Sequence, residues 1–370
     1  MKKVLFMPFL QISSGHHQVA DSLMDGLREL EPTIECEKVD ILHYGFGKME
    51  TFISNVYLQW IAHFPQVYSW IYRKLVCENM KEAKRYRHYE FLFQSAMKEI
   101  LQEKKPDLVI CTHALPSYML SYLKQRGLVD VPVINVYTDY FIHRLWGISE
   151  IDYHFVPSHM MKEHLEDKGV RPDRIFVTGI PVHHKFSRAE RGEILKNKDR
   201  LRLMLTGGNL GVGLIDQFVE KVGHDGIEYK VLCGKNDKLY KRLSRLGQSN
   251  VQPVSYISSR EEMNQLYEEC DGIITKPGGV TVSESLFKRV PIFVYHTLPG
   301  QEEMNLEQLN QLGVANHLHS WQTSDQFEEE LLRFYNEHDQ INTYHQNLDH
   351  YHTQITPQTP AELIYFNALT

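Results

Sequence analysis

Three loop sequences in this chain carry the residue types that handle protons, phosphates and sugar hydroxyls. The first is Gln11-Ile12-Ser13-Ser14-Gly15-His16-His17-Gln18, set between an apolar run of strand length, Lys3–Phe9, and a helical pattern. A strand–loop–helix junction presents helix N-terminal amides to an anion or oxyanion. A histidine placed there can take a proton from an attacking hydroxyl, so His16 is read either as a general base or as a capping or surface histidine. The second is Gly207-Gly208-Asn209-Leu210-Gly211-Val212-Gly213, after the run Leu201–Thr206. Glycines let backbone approach a pyrophosphate closely, although they also end strands for steric reasons alone. The third is Thr275-Lys276-Pro277-Gly278-Gly279-Val280-Thr281-Val282-Ser283-Glu284. Its turn offers amides to a phosphate, and Glu284 can accept both hydroxyls of a ribose or simply support the helix dipole. Downstream, Gln301, Glu302 and Asn305 open another helix with groups suited to sugar hydroxyls.

These loops need a scaffold of strands that end where helices begin. Strand-like runs at Lys3–Phe9, Ile34–Leu42, Leu108–Thr112, Val131–Tyr137, Tyr153–Val156 and Ile175–Thr178 are mostly separated by helical segments. A helix after the first run is read from Val19, Ala20, Leu23, Met24, Leu27 and Leu30. After the polar stretch Ser187–Arg200 the rhythm restarts at Leu201–Thr206, Tyr229–Leu232, Val251–Tyr256, Gly272–Thr275 and Pro291–Tyr295. Continuous β-branched runs predict strands covered on both faces, hence parallel sheets with βαβ crossovers. Two such domains in series place a ligand cleft between them. The exception is Lys48–Gln94, where Phe52, Tyr57, Trp60, Phe64 and further rings interleave with Arg73, Lys74, Lys84 and Arg85. That pattern fits either an anionic membrane interface or a helical hairpin that packs its rings inward.

Composition bounds the rest. The 370 residues, 42% hydrophobic and 24% charged, predict a globular protein of one large or two ordinary domains. A net charge of −7 argues against a nucleic-acid partner. Five scattered cysteines without a Cys-x-x-Cys pair read as reduced thiols of a cytosolic protein. The N-terminus has no signal-peptide pattern, and no apolar stretch of about 18 residues occurs. Neither an Asp-x-Asp, a P-loop lysine motif nor a nucleophile elbow is found, and His16-His17 and His183-His184 lack partners for a metal site.

Gly15-His16-x-x-x-Ala20, Thr138-Asp139-Tyr140 with His143 and Trp146, Thr178-Gly179-Ile180-Pro181, Cys233-Gly234-Lys235-Asn236, Lys276-Pro277-Gly278-Gly279-x-Thr281-x-x-Glu284 and Pro299-Gly300-Gln301-Glu302-x-x-Asn305 occur in that order. The series resembles the bacterial diacylglycerol glucosyltransferases, relatives of plant monogalactosyldiacylglycerol synthase in glycosyltransferase family 28. The likeness covers nearly the whole chain, and the lysine-to-asparagine series is its most specific part. Ser13-Ser14 stand where the family's first loop is richer in glycine.

The resemblance implies an α/β GT-B fold: two facing Rossmann-like domains with a cleft between them and a C-terminal helix crossing back. Its expected divisions are 1–185, facing acceptor and membrane, 186–340, binding a UDP-sugar, and a tail, 341–370, returning to the first domain. His16 would be the catalytic base, with Gly15, Asp139 and His143 on the acceptor side. Donor binding would fall to Gly207, Gly208 and Asn209, to Lys276, Gly278, Gly279, Val280 and Thr281, and to Glu284, Gln301, Glu302 and Asn305. Within that set, the glycine loop and the Gly278–Thr281 turn would hold the diphosphate, Glu284 the ribose, and the last three the sugar. The implied activity is inverting, metal-independent transfer of a hexose, glucose foremost, from UDP-glucose or UDP-galactose to diacylglycerol. No cofactor is expected, the UDP-sugar being the donor substrate. The enzyme would be cytoplasmic and peripheral on the inner face of the cell membrane. Alternatives are the same transfer to another lipid or a soluble acceptor, a UDP-sugar epimerase, and a non-catalytic sensor of UDP-sugar.

Overall fold

The computed structural model describes residues 1–9, 14–46, 85–189, 200–208, 211, 214–298, 300–324 and 326–370. The chain divides into two compact units, one of residues 1–183 with 354–370 and one of residues 184–353.

The first unit begins β1 (Lys3–Met7), α1 (Gly15–Leu30), β2 (Glu35–Lys38), α2 (Ile41–Phe46) and α3 (Arg87–Lys104). It continues β3 (Leu108–Cys111), α4 (Ala114–Gln125), β4 (Val133–Val136), β5 (Tyr153–Val156), α5 (His159–Asp167) and β6 (Ile175–Val177). The described strands form one parallel sheet in the order β2-β1-β3-β4-β5-β6, with Val4 opposite Leu108 and Cys36. Val4 to Met7 are fully buried, as are Leu108 to Cys111. That is why these strands read as unbroken apolar runs, and each large apolar side chain contributes about 1.5–3 kcal/mol. α1 buries the expected stripe of Val19, Ala20, Leu23, Met24 and Leu27, while Leu30 is exposed. The run expected as strand to Leu42 stops at Lys38, because the Asp40 carboxylate accepts from the Leu42 amide and a helix begins at Ile41.

The second unit runs β7 (Leu201–Thr206), α6 (Ile215–Val219), β8 (Ile227–Leu232), α7 (Asp237–Leu246), β9 (Val251–Val254), α8 (Arg260–Glu269) and β10 (Gly272–Thr275). It continues α9 (Gly279–Phe287), β11 (Ile292–Val294), α10 (Gln301–Leu312), β12 (Asn316–His317), α11 (Phe327–Asn336) and α12 (His338–Thr353). Its sheet is again parallel, in the order β12-β11-β10-β7-β8-β9. β12 was not anticipated; it is two residues long and both are half-buried and polar.

The segment 341–370 is shared between the units. α12 stays in the second, where Arg289 pairs with Asp349 and the Leu286 carbonyl lies 2.9 Å from His352 Nε2. Residues 354–370 belong to the first, where the Thr356 amide donates to the Val177 carbonyl at 2.8 Å and α13 (Pro360–Ile364) lies against α1 at Gly26.

Of the aromatic and basic segment Lys48–Gln94, residues 48–84 lie outside the described residues. In the remainder, Tyr86 and Phe93 are buried whereas Phe91 is 88% exposed, so the rings divide between core and surface. Arg85 forms a two-pronged pair with the buried Glu90 carboxylate, which also accepts from the Tyr118 hydroxyl at 2.8 Å. No described helix is long and apolar enough to cross a membrane.

Candidate functional site

In an open parallel sheet, ligands bind beyond the strand C-termini at the point where strand order reverses. In the first unit that point lies between β1 and β3, and the loops following these strands carry Gly15 and His16 on one side and Thr112 and His113 on the other. His16 Nδ1 lies 2.8 Å from the Thr112 carbonyl and 2.8 Å from Thr138 Oγ1, which follows β4. The His113 ring meets His16 edge-on at 4.8 Å and stacks on Phe9 at 4.6 Å. Gly15 opens α1, and Ser14 precedes it without a side-chain cap, which leaves the first amides of the helix to other partners.

Burial is the main influence on His16 and lowers its proton affinity; His17 acts in the same sense, while Asp139 and the Thr112 carbonyl oppose it. The ring is therefore neutral at pH 7, the state a general base needs. Burial and then His16 hold His143 down at about 3. Asp139 and His143 thus lie in the electrostatic neighbourhood of His16. Sequence reading gave no role to Phe9, Thr112, His113 or Thr138. Their common signal is position, since each lies at or just past the C-terminal end of a strand.

The second unit repeats the arrangement between β7 and β10. Gly207 is buried and Gly208, at φ +78°, donates its amide to Thr206 Oγ1 at 3.1 Å. A Cβ on Gly208 would meet none of the described residues within 4 Å. Gly211 differs: at φ +57° a Cβ there would stand 1.9 Å from the Cys233 carbonyl oxygen. Gly208 thus borders open space among the described residues, whereas Gly211 is required by close packing on the Cys233-Gly234-Lys235-Asn236 turn, whose Asn236 side chain donates from Nδ2 to the Gly211 carbonyl at 3.1 Å. Asn209 lies outside the described residues.

After β10 the chain turns through Lys276 and Pro277 to Gly278, which precedes α9 in extended conformation and also borders open space. Gly279, Val280 and Thr281 form the first turn, so their amides and the helix dipole are offered to an anion. Lys276 Nζ, almost fully buried, is 2.9 Å from Glu302 Oε1, whose other oxygen accepts from the Leu298 amide at 2.7 Å. Asn305 Nδ2 donates to the Pro277 carbonyl at 3.0 Å. The start of α10 therefore braces the loop after β10, and the lysine charge is already matched by Glu302. An anion here meets backbone amides before it meets an unpaired cation. Gln301 is half-buried at the first position of α10.

Glu284 is in the second turn of α9, where no dipole role applies, and is buried. The Tyr267 hydroxyl of α8 donates to its Oε2 at 3.0 Å. Burial pushes its carboxyl up to about 7 against the opposing influence of Arg260 and Tyr267. A buried carboxylate with one hydroxyl donor retains acceptor capacity for further hydroxyls.

Two parallel six-stranded α/β units of this kind fit the two-domain GT-B fold. SnogD, a glycosyltransferase from Streptomyces nogalater, shares the fold with a TM-score of 0.58 at 14% identity, over 99% of both chains. Residues 16–182 match the profile of the monogalactosyldiacylglycerol (MGDG) synthase family. The uncharacterized glycosyltransferase YkoN of Bacillus subtilis (strain 168) is 44% identical over 95% of this chain and 93% of its own length. A processive diacylglycerol beta-glucosyltransferase of Bacillus cereus (strain B4264) is 30% identical over 82% of this chain and 78% of its own. The chain belongs to the monogalactosyldiacylglycerol synthase family of glycosyltransferases.

Proposed function

We propose that this enzyme transfers a hexose, glucose foremost, from a UDP-sugar to diacylglycerol in a single inverting displacement that uses no metal. The observation that carries the reading is His16: a neutral, carbonyl-anchored imidazole at the switch point of the unit whose sequence matches the family. His16 takes the proton of the acceptor hydroxyl as its oxygen attacks the anomeric carbon. The bond from that carbon to the diphosphate breaks, and UDP departs with the electron pair. The amides after Gly278 and the dipole of α9 stabilise the charge that develops on UDP. Glu284 accepts the ribose hydroxyls, and Gln301, Glu302 and Asn305 lie toward the sugar. The exposed Arg87, Phe91 and Leu92 rest on an anionic lipid surface, which makes the enzyme peripheral on the cytoplasmic side of the membrane.

The test is a product assay with labelled UDP-glucose or UDP-galactose and diacylglycerol in mixed anionic micelles, read by lipid extraction and chromatography. A labelled glycolipid from the wild-type protein, and none from His16→Ala, is the expected result. UDP release only when cell extract is added would replace diacylglycerol with another acceptor. Undiminished turnover by His16→Ala would remove His16 from the chemistry.

A further inference from the structure

We infer that Thr138 is a positioning residue that holds His16 with its proton on Nδ1, so that the Nε2 lone pair faces the acceptor; this rests on the reading of His16 as the base. A backbone carbonyl only accepts, so the 2.8 Å contact of Nδ1 with the Thr112 carbonyl is a hydrogen bond only when Nδ1 carries hydrogen. Thr138 Oγ1 stands 2.8 Å from the same nitrogen and 3.4 Å from the same carbonyl. Its hydroxyl hydrogen turns to the Thr112 carbonyl and its lone pair to the Nδ1 hydrogen. The carbonyl selects this tautomer, and the hydroxyl, committed as a donor to the same carbonyl, supports it by offering the Nδ1 hydrogen a second acceptor. The opposite tautomer would set the Nδ1 lone pair against the carbonyl oxygen.

The neighbouring rings are set the other way. His113 Nδ1 accepts from the Leu115 amide at 3.1 Å, and His143 Nδ1 accepts from the Leu145 amide at 3.3 Å. When neutral, both carry hydrogen on Nε2 and present donors. Of the three, His16 is the ring whose Nε2 is left as a base. When that nitrogen takes the acceptor proton, the resulting imidazolium already has its Nδ1 hydrogen bonded to the carbonyl, so no reorganisation accompanies the transfer. The charged and titratable groups facing His16 are Asp139, which favours the imidazolium, and His17, His113 and His143, which oppose it when charged.

The experiment is long-range proton–nitrogen NMR on the full chain labelled with nitrogen-15 histidine, the His16 signals being assigned by their loss in His16→Gln. At pH 7.5 the wild type is expected to show a protonated Nδ1 and an unprotonated Nε2. Thr138→Val should mix the tautomers and lower kcat about tenfold or more, with the KM for UDP-glucose unchanged, and Thr138→Ser should restore both readouts. A wild-type spectrum with the proton on Nε2 overturns the proposal whether or not Thr138→Val folds. So does a Thr138→Val protein with wild-type tautomer and kcat. If turnover survives His16→Gln, the base reading fails, while the spectrum still reports whether Thr138 sets the tautomer. If His16→Gln is inactive and Thr138→Val is unaltered, the base stands and the positioning role falls.

Discussion

Replacing Glu284 with glutamine should make the protein more stable at neutral pH and leave it unchanged in acid. The carboxyl is buried between α8 and α9 and is held at about 7 rather than its ordinary 4.5, chiefly by burial. Between those two values the folded protein binds more protons than the unfolded chain, so stability falls as pH rises through the window and is lower by the full amount above it. Holding the carboxyl at about 7 instead of 4.5 corresponds to about 3 kcal/mol. Glutamine keeps an oxygen for the Tyr267 hydroxyl and never ionises, so it removes the electrostatic contribution without opening a cavity. Urea unfolding of Glu284→Gln and wild type, followed by circular dichroism, should give nearly equal stability close to pH 4. The variant should gain steadily toward pH 7 and lead by about 3 kcal/mol at pH 8. A constant difference from pH 5 to pH 8 would refute the argument, because it would mean that Glu284 ionises at its ordinary value in the fold.

The same carboxyl should make nucleotide binding pH-dependent. Ribose hydroxyls favour the carboxylate, so UDP affinity should rise with pH and level off above about 7, with proton release visible by calorimetry in buffers of different ionisation enthalpy; flat affinity would remove Glu284 from the ribose site. Gly211→Ala forces a Cβ against the Cys233 carbonyl at positive φ and should destabilise the second unit by about 3 kcal/mol or more, seen as a lowered thermal midpoint. Gly278→Ala enters open space at an ordinary backbone angle and should leave the midpoint within about 2 °C while weakening UDP binding in calorimetric titration. Unchanged UDP affinity in that variant would place the diphosphate elsewhere.

Both sheets were legible in the sequence because their central strands are covered on two faces and so form unbroken apolar runs, as at Leu108–Cys111 and Gly272–Thr275. β12 escaped for the opposite reason: two half-buried polar residues carry no period at all. The candidate loops were legible through their glycines, but sequence could not separate Gly208, which borders open space, from Gly211, which a neighbouring carbonyl requires. That difference is tertiary. Glu284 and Tyr267 are 17 residues apart on successive helices, and His16, in the first turn of α1, is 122 residues from Thr138, which follows β4. Local patterns reach neither pair; only the strand order, which seats the loops after β1, β3 and β4 side by side, makes the second one visible.

The first unit is assembled from two stretches of chain, and the second of these, 354–370, is made only after all of 184–353. Leu363 and Ile364 are buried in it, the Tyr153 hydroxyl donates to the Asn367 carbonyl, and the Val177 carbonyl waits for the Thr356 amide. During synthesis the unit that holds His16 therefore stays incomplete while the later one, 184–353, emerges as a continuous stretch able to fold first. Until 354–370 has left the ribosome, the Gly26 position of α1 lacks the Ala361 side chain that covers it in the finished unit.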